Sequence, residues 1–263
     1  MCYSADPHWA LVHDPGLLVL HAGADELFVI EDVSDGVAVE MLALWRAEVM
    51  RPAALSQEAA DVFEQLKAAG IVQNRVAARV EYSLQVRFAG ERDAALETAL
   101  ADALPTGIVV DGSRAADFVL FVRTNGALTD IVGDGYTTLT APHLLLDVAF
   151  DHTVCLGPLV FPRQTACLHC LVARLSYYWG DVTPPARPRV SGHPGLCAGL
   201  AAITVQNILL REDRSLVNRT VAYDVSAHAV QASSVYRVPS CPACGTGAAA
   251  RRGSIALPWV GAR

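Results

Sequence analysis

Two cysteine pairs constrain this chain more than any other feature of its sequence. Cys167-Leu168-His169-Cys170 and Cys241-Pro242-Ala243-Cys244 share the spacing CxxC. Two intervening residues let both sulfurs of a pair face one centre, so the two pairs offer four thiolates to a tetrahedral ion with metal–sulfur bonds of about 2.3 Å. Gly245 follows at once and favours a tight turn with backbone N–H groups facing the sulfurs. The spacing reads as a zinc knuckle. A redox CxxC would be expected once, near a helix start, and a disulfide framework in a small secreted chain; these are the alternatives. Four thiolates leave no open coordination position, so the zinc would be structural and His169 should point its ring outward.

The remaining composition bounds the class. At 263 residues, 52% hydrophobic and 18% charged, the chain has the makings of one large or two smaller folded domains. The apolar run Leu196–Leu210 is interrupted by Thr204, Gln206 and Asn207, so it reads as a buried helix and not as a membrane span. No charged-then-apolar leader opens the sequence, and the expected location is cytoplasmic, with cysteines reduced or metal-bound. Charge is uneven: residues 1–75 carry 12 acidic against 4 basic residues, net −8, whereas 76–263 are near neutral.

Taken in order, the chain divides at about residue 76. Residues 1–76 hold three short β-rich runs, Trp9–His13, Gly16–His21 and Glu26–Glu31, separated by turn formers. Two helices follow, Val37–Glu48, with Val39, Leu42, Leu44, Trp45 and Val49 on one side, and a second from Ser56 to Ala69. This is a winged-helix-type pattern. Its acidity argues against nucleic acid, because duplex binding draws on Lys and Arg contacts to phosphates. A small sheet with an available edge can instead accept an extended peptide as an added strand.

Residues 77–263 alternate strand and helix: strand Val80–Phe88, helix Glu91–Ala103, then strands Gly107–Asp111, Asp117–Arg123, His143–Phe150 and Thr153–Phe161. That is α/β material of Rossmann type. Leu128–Thr140 shows no clean period. The first cysteine pair sits at the start of a helix, Leu171–Trp179, and Asp181–Gly195 reads as a mobile crossover loop. The apolar helix Leu196–Glu212 and the hairpin Arg219–Val225/His228–Val238 lead to the second pair. Ala248–Arg263 is a small-residue-rich, then apolar, tail.

Nucleotide machinery is sparse. The turn where phosphate would approach a helix reads Arg87-Phe88-Ala89-Gly90-Glu91-Arg92, with one glycine and an acidic side chain. Neither GxGxxG nor GxxxxGKS occurs, and Lys67 is the sole lysine. No nucleotide is expected on this chain. Cys197, near a helix start, suits a nucleophile but more simply packs as a small hydrophobe.

The runs "VCLGPLVFPRQTACLHCL", "TVAYDVSAHAV" and "VPSCPACG" resemble the E1-like (ThiF-related) subunits of azole-forming peptide synthetases, the partners of YcaO cyclodehydratases. The resemblance implies structural zinc on Cys167, Cys170, Cys241 and Cys244 and a front domain that binds precursor leader peptides. The leader-binding edge strand would be Leu27–Glu31, facing the helix Glu58–Lys67, with Leu27, Phe28, Val29, Ile30, Phe63 and Leu66 as the peptide-binding residues. It also implies a YcaO partner that spends the ATP, an FMN-dependent azoline dehydrogenase, and homodimers or hetero-oligomers. The chain itself would be non-catalytic. The alternatives are an E1-like ATP-dependent adenylyltransferase with Cys197 as acceptor, and an acidic winged-helix regulator.

Overall fold

A computed structural model describes residues 3–6, 9–23, 26–47, 50–74, 81–180, 183–239 and 241–245. The chain forms two compact units, Met1–Ala78 and Arg79–Arg263. The expected division at 76/77 lies outside the described residues, as do the tail Ala248–Arg263 and position 49 of the first helix.

The first unit runs β1 (Tyr3–Ala5), β2 (Ala10–Asp14), β3 (Leu17–Ala22), β4 (Glu26–Ile30), α1 (Asp35–Arg46), a 3-10 turn, α2 (Gln57–Ala68) and β5 (Val72–Asn74). β2, β3 and β4 form an antiparallel meander with Val12, Val19 and Val29 in register across it. Pro15-Gly16 makes the first corner, proline fixing one φ and Gly16 supplying the positive φ of +79° that the next position requires. Ser34 and Ser56 cap the helices, their hydroxyls accepting from the N–H groups of Val37 and Ala59. The sequence pattern missed β1, a three-residue strand paired antiparallel to β5. It also misjudged the phase of α1: Val37, Ala38 and Met41 are buried there, and Val39 is exposed. Leu18, Leu20, Ile30, Met41, Phe63, Leu66 and Ile71 make the core.

The second unit is built on β6 (Tyr82–Ala89), α3 (Ala94–Ala103), β7 (Ile108–Val110), β8 (Phe118–Arg123), β9 (His143–Phe150), β10 (Thr153–Val160), α4 (Leu168–Trp179), α5 (Pro194–Arg211), β11 (Arg219–Asp224) and β12 (Ala229–Ser234). These strands form one mixed sheet in the order β12-β11-β10-β9-β8-β6-β7. β7, β6, β8 and β9 run parallel, and the rest pair antiparallel. Central β8, "FVLFVR", is buried along its whole length, as a parallel strand covered on both faces must be. α3 and α5 share one core with Leu84, Leu120, Leu144 and Leu146; α4 and the four cysteines share another with Val119, Phe121 and Leu145. The ambiguous stretch Leu128–Thr140 resolves into two 3-10 turns that bury Leu128, Ile131 and Tyr136. The crossover expected to be mobile is pinned at its end, where Val190 is buried and donates to the carbonyl of Asp151 at 2.7 Å.

Candidate functional site

The fold brings the four distant cysteines together. Cys167 caps α4 and Cys170 lies in its first turn, with its N–H donating to the Cys167 carbonyl at 3.0 Å. The chain after β12 carries Cys241 and Cys244 to the same point. Cys167 Sγ lies 3.8 Å from Cys170 Sγ and 3.4 Å from Cys241 Sγ, and Cys170 Sγ lies 3.3 Å from Cys244 Sγ. All four sulfurs are within 4.8 Å of one another and belong to buried residues. A tetrahedron with bonds of about 2.3 Å spaces its sulfurs by about 3.8 Å, so the donor set fits a four-coordinate metal ion with no position left for water or substrate. The backbone N–H of Val238 donates to Cys170 Sγ at 3.3 Å. That bond and the hydrogen bond from the Cys167 thiol, which is the larger influence, draw the Cys170 thiol down to about 4. Burial pushes Cys244 up to about 12.

Gly245 serves the knuckle by close approach. Its N–H donates to the Cys241 carbonyl at 2.8 Å, and a Cβ at this position would collide with that same carbonyl oxygen. The N–H group that faces a sulfur belongs to Val238 instead.

A set of residues that the sequence reading passed over holds the cysteine arms in place. The Leu168 N–H, next to Cys167, donates to the Tyr136 hydroxyl at 2.7 Å, and that hydroxyl lies 2.8 Å from His143 Nε2. His143 Nδ1 is 3.0 Å from the Ala141 carbonyl. A carbonyl can only accept, so the network places the proton on Nδ1 and leaves Nε2 to accept from Tyr136. Burial lowers the His143 pKa to about 4 and raises that of Tyr136, keeping both neutral. Asn218 joins the two arms: its Oδ1 accepts from Ala166 N–H at 2.8 Å and its carbonyl from Val235 N–H at 2.8 Å. His169, expected to face outward, packs edge-on against Tyr136 with Nε2 buried.

A second location is the switch point of the sheet. Order reverses between β6 and β8, and in open α/β sheets ligands bind in the crevice beyond the strand ends at such a point. Here the loops that follow β6 and β8 bond to each other. Asn125 Oδ1 accepts from Glu91 N–H at 2.9 Å, and Thr124 Oγ1 donates to the Glu91 carbonyl at 2.7 Å. Gly90 and Gly126 press backbone to backbone, leaving no room for a Cβ on either. Asp93 caps α3, accepting from Leu96 N–H at 3.0 Å, where an anion would otherwise bind. Behind it, buried Arg123 is paired with buried Asp147 at 2.9 Å and lies over the Phe150 ring. Cys197 is buried with its thiol aimed at the Val190 carbonyl, and burial raises its pKa to about 11, a packed thiol and not a thiolate.

The residues read as a peptide groove fall on two sides of the first unit. Leu27 and Val29 of β4 are 67% and 39% exposed. Ile30, Phe63 and Leu66 are buried in the unit's core and present no surface pocket wall, while partly buried Phe28 packs against that core. Apolar residues at helical spacing in α2 mark its buried face.

Models of known protein families give no match to this sequence, and neither do the curated proteins. Solved structures do match in fold. A structure described as the heterocyclase TruD superposes with TM-score 0.61 at 16% identity over 93% of this chain. A heterocyclase in complex with substrate and cofactor gives 0.59 at 14%, again over 93%. The chain spans about two fifths of the length of these two, 43% and 39%. MccB of E. coli, crystallised with MccA, gives 0.53 at 10% identity, over 93% of this chain and all of that one. The chain therefore has the fold that the heterocyclases and MccB share.

Proposed function

We propose that this chain is a non-catalytic, peptide-capturing component of an azole-forming synthetase. The first unit, of winged-helix type, takes up the leader of a ribosomal precursor peptide as an added strand on β4. The second is an E1-like scaffold stabilised by zinc on Cys167, Cys170, Cys241 and Cys244. It holds the core Cys, Ser or Thr residues of the precursor at a YcaO cyclodehydratase, which activates the amide with ATP; an FMN-dependent dehydrogenase then converts azoline to azole.

The observation that carries this reading is the outer strand of the meander. β4 pairs only with β3 among the described strands, and it sets Leu27 and Val29 in solvent on a unit rich in acidic side chains. An edge with unpaired backbone groups and alternate apolar side chains is what strand addition requires. The shared fold with two heterocyclases supports the pathway, and the single glycine and acidic Glu91 in the turn after β6 support leaving ATP to the partner. The test is fluorescence anisotropy with a labelled leader from the precursor encoded nearest this gene, without nucleotide. Saturable binding that Leu27→Glu weakens about tenfold or more is expected; absence of binding by the wild-type chain refutes the reading.

A further inference from the structure

β12 ends the large sheet, and nothing in its sequence blunts that edge. It bonds to β11 alone among the described strands, and all six of its residues are exposed. Natural edge strands are ordinarily protected by charged side chains, proline or a bulge. Ala229–Ser234 contains no charged residue and no proline, and it follows β11 over its whole length without a break in register. The bond just past the strand fixes which groups are free. Val235 N–H donates to the Asn218 carbonyl at 2.8 Å, so by antiparallel alternation Ala229, Gln231 and Ser233 face β11, while Val230, Ala232 and Ser234 turn their N–H and C=O groups outward. The end of this edge is basic. Arg219, which pairs with Ser234, lines an open groove of about 420 Å³ together with Arg237 and exposed Tyr236. The Arg174 guanidinium lies 5.3 Å from the Tyr236 ring centre. Among the described residues none of these three arginines is in an ion pair, although the chain carries net −7. We infer that β12 and this groove bind an extended, acidic segment of a partner protein, added as a strand with its carboxylates on Arg219 and Arg237.

Backbone and charge together select that occupant. Guanidinium groups bond carboxylates in a planar fork, so arginines without acidic partners favour a segment that brings Asp or Glu. A nucleic-acid strand would also find arginines and a tyrosine here, but it has no amide groups to continue the ladder from Val230, Ala232 and Ser234. The side chains add a pattern. Val230 is 64% exposed and stands across from Tyr223, so the added strand gains most from a β-branched residue beside it. Ser234 lies on the same side of β12, four residues on, where an acidic side chain comes within reach of Arg219. The segment should therefore carry its β-branched and acidic residues four positions apart.

The probes are two labelled peptides with that spacing, Glu-Asp-Thr-Ser-Thr-Val-Thr and its reversal, because the added strand can run either way. Anisotropy titrations on the full chain should show saturable binding of one of them, weakened by salt and lost when Glu-Asp becomes Lys-Lys. Arg219→Glu combined with Arg237→Glu should weaken it about 100-fold. Ala232→Pro removes an outward N–H and no bond to β11, and should weaken binding at least about tenfold with the melting temperature unchanged. N-methylation of one alternate set of peptide amides should abolish binding and of the other set spare it, which no folding defect can imitate. The inference is overturned if neither peptide binds, if the charge reversals leave affinity unchanged, or if both methylated sets bind like the parent. Tight oligothymidylate binding that Ala232→Pro leaves intact, with no peptide bound, would assign the arginines to nucleic acid instead. Leu27→Glu should not alter binding at β12, so failure here and failure of leader capture at β4 are separable.

Discussion

Replacing Tyr136 by Phe removes one oxygen that serves two buried partners. The Leu168 N–H loses its acceptor at 2.7 Å and His143 Nε2 loses its donor at 2.8 Å, in a place water does not reach. An orphaned buried polar group costs about 1–3 kcal/mol, so the substitution should cost roughly 2–5 kcal/mol. For a unit of this size each kcal/mol lowers the melting temperature by about 2–4 °C, which puts the expected loss between roughly 5 and 15 °C by calorimetry on metal-saturated protein. Leu168 adjoins Cys167, so metal should also exchange faster with a chromophoric chelator. The double variant with His143→Leu should be less damaging than the sum of the singles by about 1 kcal/mol, because the imidazole is no longer left wanting a donor. A shift below about 2 °C in the single variant would refute the view that this relay holds the cysteine turn.

The same histidine sets an acid limit. His143 is held near pKa 4 by burial, below the usual histidine range, so the unfolded chain binds a proton that the native one refuses. Stability should therefore decline as pH falls from about 6.5 toward 4, by up to about 3 kcal/mol, and His143→Gln should flatten that slope in thermal melts. Cys241→Ser or strong chelation should unfold the second unit, since a structural zinc site can contribute on the order of 10 kcal/mol, and circular dichroism with and without metal would read it. Leu27→Glu should leave the melting temperature unchanged, whereas Phe63→Ala should cost about 3–5 kcal/mol; the reverse pattern would return Phe63 to the surface. Arg123→Met strands the Asp147 carboxylate and should cost about 3–5 kcal/mol, recovered in large part by adding Asp147→Leu.

Those residues also mark where sequence reading works and where it stops. β9, β10 and α4 are long or strongly patterned and were legible, and the cysteine spacing located the four-sulfur cluster because CxxC is a local signal. Tyr136, His143 and Asn218 were invisible because their roles arise from single polar contacts to Leu168, Tyr136 and Ala166, which no hydrophobic period encodes. β1 is three residues long, and its partner β5 lies at the far end of the unit. Phe63 and Leu66 were misplaced for a different reason: apolar spacing on a helix says that a face is buried, not what buries it. The α1 error is of the same kind, a stripe assigned one residue out of phase.

The sulfur cluster also turns part of the chain into a ring. Cys167 and Cys241 are 74 residues apart, and the segment between them holds α4, α5 and the β11–β12 hairpin. A metal ion on the four sulfurs closes that segment on itself. A backbone cut among the exposed residues of 183–187 would then leave both pieces fastened to the same ion. Gel filtration would show one particle until a chelator is added. For the long crossover this works as a clasp: the segment can be nicked in its loop and still stay on the body of the protein.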